Sequence, residues 1–216
     1  MAGSDFLRKN KNQHVIKNVK SKKMEKDIDL AVECVLKWLK NQYPKVKFLH
    51  TKTIPLPALV KEIRDIFPSY KFAEVGEKNF IRPDGGVIYF LDEKNQPKFV
   101  LISEVKRQGT NDKRKQEGLP EQSRGNAVER LGKNLIGIRT LLRKEDIIPF
   151  VAFGSGDDFK SGSSIVDRVK TMNEFFPLNH VFVNKVKPFE PVSMFFRPED
   201  WSVQEMCKIM KNIARQ

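Results

Sequence analysis

The 216-residue sequence predicts an α/β fold, with a central mixed β-sheet flanked by helices. Two observations lead there. Short apolar runs rich in β-branched and aromatic residues (Val87–Leu91, Phe99–Val105, Ile147–Phe153, His180–Val186) are bounded by Gly, Asn and Pro, as strands are. Around them, apolar residues recur at three- and four-residue spacing, which puts them on one face of a helix. A chain that mixes the two periods folds as helices layered on a sheet. Its length suits one domain with a substantial core, assigned to residues 25–216 behind a basic arm at 1–24.

In chain order, the arm carries seven Lys or Arg against one acid, Asp5, with few apolar residues to bury, so a mobile arm is expected, a solvated tail if taken alone and a tracker of phosphates in a DNA-binding protein. From about Lys26 the pattern turns helical through Ile28, Ala31, Val32, Val35, Leu36 and Leu39, and Tyr43-Pro44 ends it. A second helix is expected over Pro57–Phe67, with Leu59, Val60, Ile63 and Phe67 on one face. The run Val87–Leu91, the polar turn Asp92–Pro97 and the run Lys98–Lys106 read as two strands and a tight turn. After Lys106 a long polar stretch, Arg107–Pro120, has almost nothing to bury, and such loops are usually functional or mobile. Next comes a helix from Asn126 to about Arg143, capped by Asn126 with Glu129 three residues on, and packed through Val128, Leu131, Leu135, Ile138 and Leu142. The strand Ile147–Phe153, a loop at Gly154–Asp158, a helix over Ser164–Phe176, the strand His180–Val186 and a closing helix over Trp201–Ala214 complete the chain.

Chemistry concentrates between Pro83 and Lys106. Side chains alternate along a strand, so Glu104 and Lys106 project from one face, and the hairpin brings Asp84 alongside Glu104. Apolar neighbours imply that this strand is buried, where charges must be paired or hold a metal. Asp84 and Glu104 offer hard oxygen ligands suited to Mg²⁺, and Lys106 could orient a water or neutralise charge on a phosphate. The plain alternative is a structural Glu104–Lys106 pair beside an Asp-Gly turn.

Charge narrows the partners. Forty Lys and Arg against 27 Asp and Glu give +13, which favours a polyanion, nucleic acid first. No run is long and apolar enough to span a membrane, and the polar N-terminus is unlike a signal peptide, so a cytoplasmic protein is expected. Cys34 and Cys207, far apart and each inside a helix, fit separate buried thiols in a reducing compartment. His14, His50 and His180 have no metal-ligand spacing and are given no role. Arg82 and Arg124 are surface cations by default, although Arg suits guanine and Asn suits adenine in the major groove.

Three blocks shift that balance: Arg82-Pro83-Asp84-Gly85-Gly86, then Glu104-Val105-Lys106, then Gly125-Asn126-Ala127-Val128-Glu129-Arg130. In this order and spacing they resemble the EcoRI-like type II restriction endonucleases, a branch of the PD-(D/E)xK nuclease superfamily. That resemblance implies a restriction-endonuclease-like core, active as a homodimer on palindromic double-stranded DNA with a central AATT. It makes Asp84 and Glu104 the Mg²⁺ ligands, with the Val105 carbonyl a further one, and Lys106 the catalytic lysine. Asn126 and Ala127 would read the adenines, Glu129 and Arg130 would buttress that reading and link it across the dimer to the catalytic centre, and Arg82 and Gly125 lie among the DNA contacts. One family member reads GAATTC and another CAATTG. The Arg at position 124 favours CAATTG here, with GAATTC next. Mg²⁺-dependent cleavage leaving 5′ overhangs, and a companion DNA methyltransferase encoded nearby, are further implications. A sequence-specific DNA-binding protein with a silent nuclease core is the alternative.

Overall fold

The computed structural model describes residues 19–69, 71, 76, 78–108, 114, 116–120, 126–145, 148–159, 167, 169, 180–183 and 192–215. A six-stranded mixed sheet runs through the middle. Its strands are β1 (Leu49–Thr51), β4 (Gly86–Leu91), β5 (Pro97–Arg107), β6 (Phe150–Ser155), β7 (His180–Val183) and β8 (Val192–Arg197). Spatially the order is β1-β4-β5-β6-β8-β7, antiparallel from β1 to β5 and parallel from β5 onward. A separate short ribbon pairs β2 (Ile54–Pro55) with β3 (Phe80–Ile81). The helices are α1 (Val19–Gln42), α2 (Leu56–Ile66), α3 (Asn126–Leu141) and α4 (Val203–Ile213). The expected α/β class, a mixed sheet with flanking helices, is therefore what forms.

Strand alternation divides the core in two. Leu101, Val105, Val151, Phe153 and Phe195 point to one face and pack against Ile28, Val32, Val35 and Leu39 of α1 and Met206 and Met210 of α4. Ile102, Phe150, Ala152, Met194 and Phe196 point to the other and pack against Leu131, Leu135 and Ile138 of α3. Glu104 and Lys106 share the parity of Ile102, so they face the α3 side. That placement decides the geometry of the site.

Several expectations are corrected. Helix α1 starts at Val19 rather than near Lys26, because Met24 extends the buried stripe one turn back from Ile28. Gly154 and Ser155 belong to β6, and Asp157–Phe159 form a 3-10 turn rather than loop, with Phe159 buried against Phe196. Phe67, at the C-terminal end of α2, is half exposed rather than buried. Cys34 and Cys207 are joined in a disulfide, since α1 and α4 pack together and bring their Cα atoms to 6.2 Å. Strand β8 was not expected at all, yet it sits between β6 and β7. The closing helix begins after Trp201, whose Nε1 donates to the Gly154 carbonyl at 2.9 Å. The helix expected over Ser164–Phe176 and the end of the strand expected over His180–Val186 fall mostly outside the described residues, as does most of the basic arm. Among the described residues, no helix is long and apolar enough to cross a membrane.

Helix α4 shows how local chemistry sets an element. Ser202 and Glu205 form a reciprocal capping box. Arg197 stacks over the Trp201 ring and makes two 2.8 Å contacts to the Glu205 carboxylate. That guanidinium, helped by the Ser202 donors, holds Glu205 down at about 2 from its ordinary 4.5. A depressed carboxylate stabilises the fold above its unfolded value, and the contribution is lost as pH falls from 4.5 through about 2. Glu205→Gln should therefore lower Tm at neutral pH, with the gap to the parent closing as melts are run toward pH 2.

Candidate active site

The β4–β5 hairpin and the chain entering it build the site. Ahead of β4, the Gly85 amide donates to the Ser103 carbonyl at 2.9 Å and the Gly86 amide to the Pro83 carbonyl at 3.0 Å. These bonds fold Asp84 back onto β5. Its amide donates to Glu104 Oε2 at 2.8 Å, and its own Oδ2 lies 3.4 Å from the Val105 amide. Lys106 Nζ meets Asp84 Oδ2 at 2.7 Å, the Val105 carbonyl at 3.1 Å and Glu104 Oε1. The sequence expectation that Asp84, Glu104 and Lys106 come together is met in space.

Burial grades the three. Side-chain exposure falls from 26% at Asp84 to 14% at Lys106 and 1% at Glu104. Burial pushes the Glu104 carboxyl above the usual carboxylate range; Lys106 pulls it back, and the Asp84 charge adds to the rise. Burial also pushes the Lys106 ammonium down, but Glu104 and Asp84 outweigh it and leave its pKa raised. Lys106 is thus a cation held by two carboxylates, with Glu104 the group that most needs its partners.

The oxygens gathered on that ammonium are two carboxylates and one carbonyl, from Asp84, Glu104 and Val105. This hard set fits Mg²⁺, which takes one or two carboxylates and keeps several waters. Among the described residues no three His, Cys, Asp or Glu gather to hold an ion. The carbonyl and waters would have to complete the shell, with Lys106 yielding the lone pairs it now takes.

Sequence reasoning missed three supporting contacts. His50 Nε2 lies 3.0 Å from the Gly85 carbonyl, so this histidine has a place even without metal-ligand spacing. Lys52 Nζ donates to the Asp84 carbonyl at 3.0 Å and pairs with Asp29. Asn134, on α3, donates to Glu104 Oε1 at 3.1 Å. All three join residues far apart in sequence, and no local pattern announces them.

The expected DNA-reading residues are less gathered. Arg82 is exposed just before the hairpin, and Arg130 is exposed on the first part of α3. Asn126, Ala127 and Glu129 lie in the first turn of α3. Arg124 and Gly125 lie outside the described residues.

Gly86 fixes the loop that presents Asp84. Its φ is +79, and a Cβ there would stand 2.4 Å from the Thr51 carbonyl oxygen, a backbone atom of the neighbouring strand. Gly86→Ala should cost about 1–3 kcal/mol of unfolding free energy by urea denaturation. Unchanged stability would contradict this geometry.

The family described as Restriction endonuclease EcoRI matches residues 10–169. The type II restriction enzyme EcoRI of Escherichia coli is 29% identical over 152 residues, which cover 65% of this chain and 55% of that enzyme. The type II restriction enzyme RsrI of Cereibacter sphaeroides is 28% identical over 217 residues, covering 84% of this chain and 78% of its own. The chain thus spans little more than half of the first relative and about three quarters of the second. The match takes in the hairpin that carries Asp84, Glu104 and Lys106, and the first turns of α3. On that correspondence the chain belongs to the EcoRI family of type II restriction endonucleases.

Proposed function

We propose that this protein is a type II restriction endonuclease, cutting double-stranded DNA at a palindrome with an AATT core. The observation that carries the reading is the meeting of Asp84, Glu104 and Lys106 at the end of a buried strand, in a chain of this family. Family resemblance, not geometry, supplies the site sequence: CAATTG is favoured through Arg124, and GAATTC comes next. A net charge of +13 suits a polyanionic substrate. A homodimer places one reading surface on each half of a palindrome. Its home would be the cytoplasm, beside the DNA it acts on and a companion methyltransferase. The Cys34–Cys207 bond removes the argument from free thiols, so that placement rests on the substrate.

Each residue has a role in this reading. Asp84, Glu104 and the Val105 carbonyl would hold Mg²⁺, which when bound lowers the pKa of a water and offsets charge on the phosphate. Lys106, a cation in this structure, sits where it can orient the attacking water or neutralise the charge that grows on phosphorus oxygens. Asn126 and Ala127 read adenine edges, and Glu129 and Arg130 brace them across the dimer. Arg82 and Gly125 would contact the DNA nearby, and Arg124 would read the outer base pair. Attack of water on phosphorus in each strand, ahead of the AATT core, breaks one bridging P–O bond whose oxygen leaves as a sugar hydroxyl, and the staggered cuts leave 5′ overhangs.

Two experiments test the assignment. Asp84→Ala and Glu104→Ala should abolish cleavage while specific binding in Ca²⁺ persists; normal cutting by either would remove that residue from the centre. Arg124→Ala should lose discrimination at the outer base pair, each mismatch there normally costing about 1–3 kcal/mol, while the central pairs stay selective. Equal loss at every position in a binding competition would make Arg124 a phosphate contact.

A further inference from the structure

Glu104 is held by three donors of different origin. The Asp84 amide binds Oε2, and Lys106 Nζ and Asn134 Nδ2 bind Oε1. The first two belong to the hairpin that carries Glu104 itself. Asn134 comes from α3, whose first turn holds residues assigned to DNA contact. Its amide must present the nitrogen, because a carboxylate offers only acceptors.

Asn134 is also out of keeping with its surroundings. It stands inside the 16-residue helix α3, flanked by the buried Leu131, Leu135 and Ile138. Asn disfavours a helix interior by about 0.5 kcal/mol relative to Ala. Arg130, one turn earlier at i−4, lies on the same stripe and is exposed. Asn126 is eight positions back, about 12 Å along a rigid rod. A movement of the first turns of α3 would therefore reach the Glu104 carboxylate through one side chain.

We propose that Asn134 is a positioning residue that couples DNA reading at the start of α3 to the orientation of Glu104. The inference rests on the nuclease reading of Asp84, Glu104 and Lys106 and on the DNA-reading role of Asn126–Arg130. An amide suits this role because it donates without carrying charge, fixing one carboxylate oxygen while leaving the net charge of the site unchanged. Engagement of the correct site sets α3, and α3 sets Glu104.

The test compares Asn134→Ala and the near-isosteric Asn134→Leu with the parent, and with Glu104→Ala as control. Four readouts are taken: affinity for CAATTG and GAATTC duplexes without metal, Ca²⁺ affinity of the complex by calorimetry, single-turnover rate in Mg²⁺, and Tm. Both variants should keep duplex affinity and lose only the small part of Tm due to one hydrogen bond, while Ca²⁺ affinity and rate fall about 10–100-fold, as for other residues that orient metal ligands. The rate gap between the preferred duplex and one with a single altered base should narrow. Parent-like rate and Ca²⁺ affinity would overturn the proposal. So would a parallel fall in duplex affinity and Tm, which would make Asn134 a packing residue. Normal cutting by Glu104→Ala would instead strike the nuclease reading itself.

Discussion

A carboxylate buried beneath α3 sets the terms for the rest of the structure. Unpaired, a buried Glu104 would be too costly to remain ionised. Breaking such a pair by removing one partner costs about 3–5 kcal/mol, a large share of the about 5–15 kcal/mol that keeps a domain folded. The fold meets this by turning the chain at Pro83–Gly86 so that an amide reaches Oε2, and by placing Lys106 two residues along the same face. The charges that need one another for stability are the ones that could bind a cation and act on a phosphate. Folding and the proposed chemistry draw on the same contacts.

The layers around that carboxylate divide the work. On the far face α1 and α4 cover the sheet with apolar side chains and are tied by Cys34–Cys207. On the near face α3 packs through Leu131, Leu135 and Ile138 while keeping Asn134 aimed at Glu104. Supports from the sheet edge finish the frame, with His50 and Lys52 holding the carbonyls of Gly85 and Asp84. A site assembled from hairpin, edge strand and helix keeps its geometry only if all three stay docked. That dependence is what allows a signal at α3 to reach it.

Much of this was legible because it rests on short-range periodicity. The hairpin follows from two β-branched runs about a turn, where Asn95 takes the positive φ such turns require. The alternation that puts Glu104 and Lys106 on one face is a property of any strand. The buried stripes of α1, α3 and α4 likewise sit close to where their spacing places them. What was hidden depends on tertiary neighbours. Val192–Arg197 carries little alternation, because a strand central in a parallel region is buried on both faces. The Cys34–Cys207 pairing spans 173 residues and exists because two helices pack, which no local pattern records. His50, Lys52 and Asn134 reach the site by the same long-range route. The DNA-reading role proposed for Asn126–Arg130 rests on its motif alone, since composition gives Asn126 and Glu129 an adequate role as a helix cap.

If three charged residues on one hairpin make this family member a site-specific nuclease, purified protein with Mg²⁺ must cut DNA at defined positions. The most direct measurement is digestion of DNA of known sequence, with the ends mapped to the base. Discrete cuts at CAATTG with 5′ overhangs are the result predicted. Cuts at GAATTC would keep the enzyme and its AATT core and discard the part given to Arg124. Tight binding without cleavage in Mg²⁺ or Mn²⁺ would contradict the nuclease assignment and leave a DNA-binding protein on a silent core.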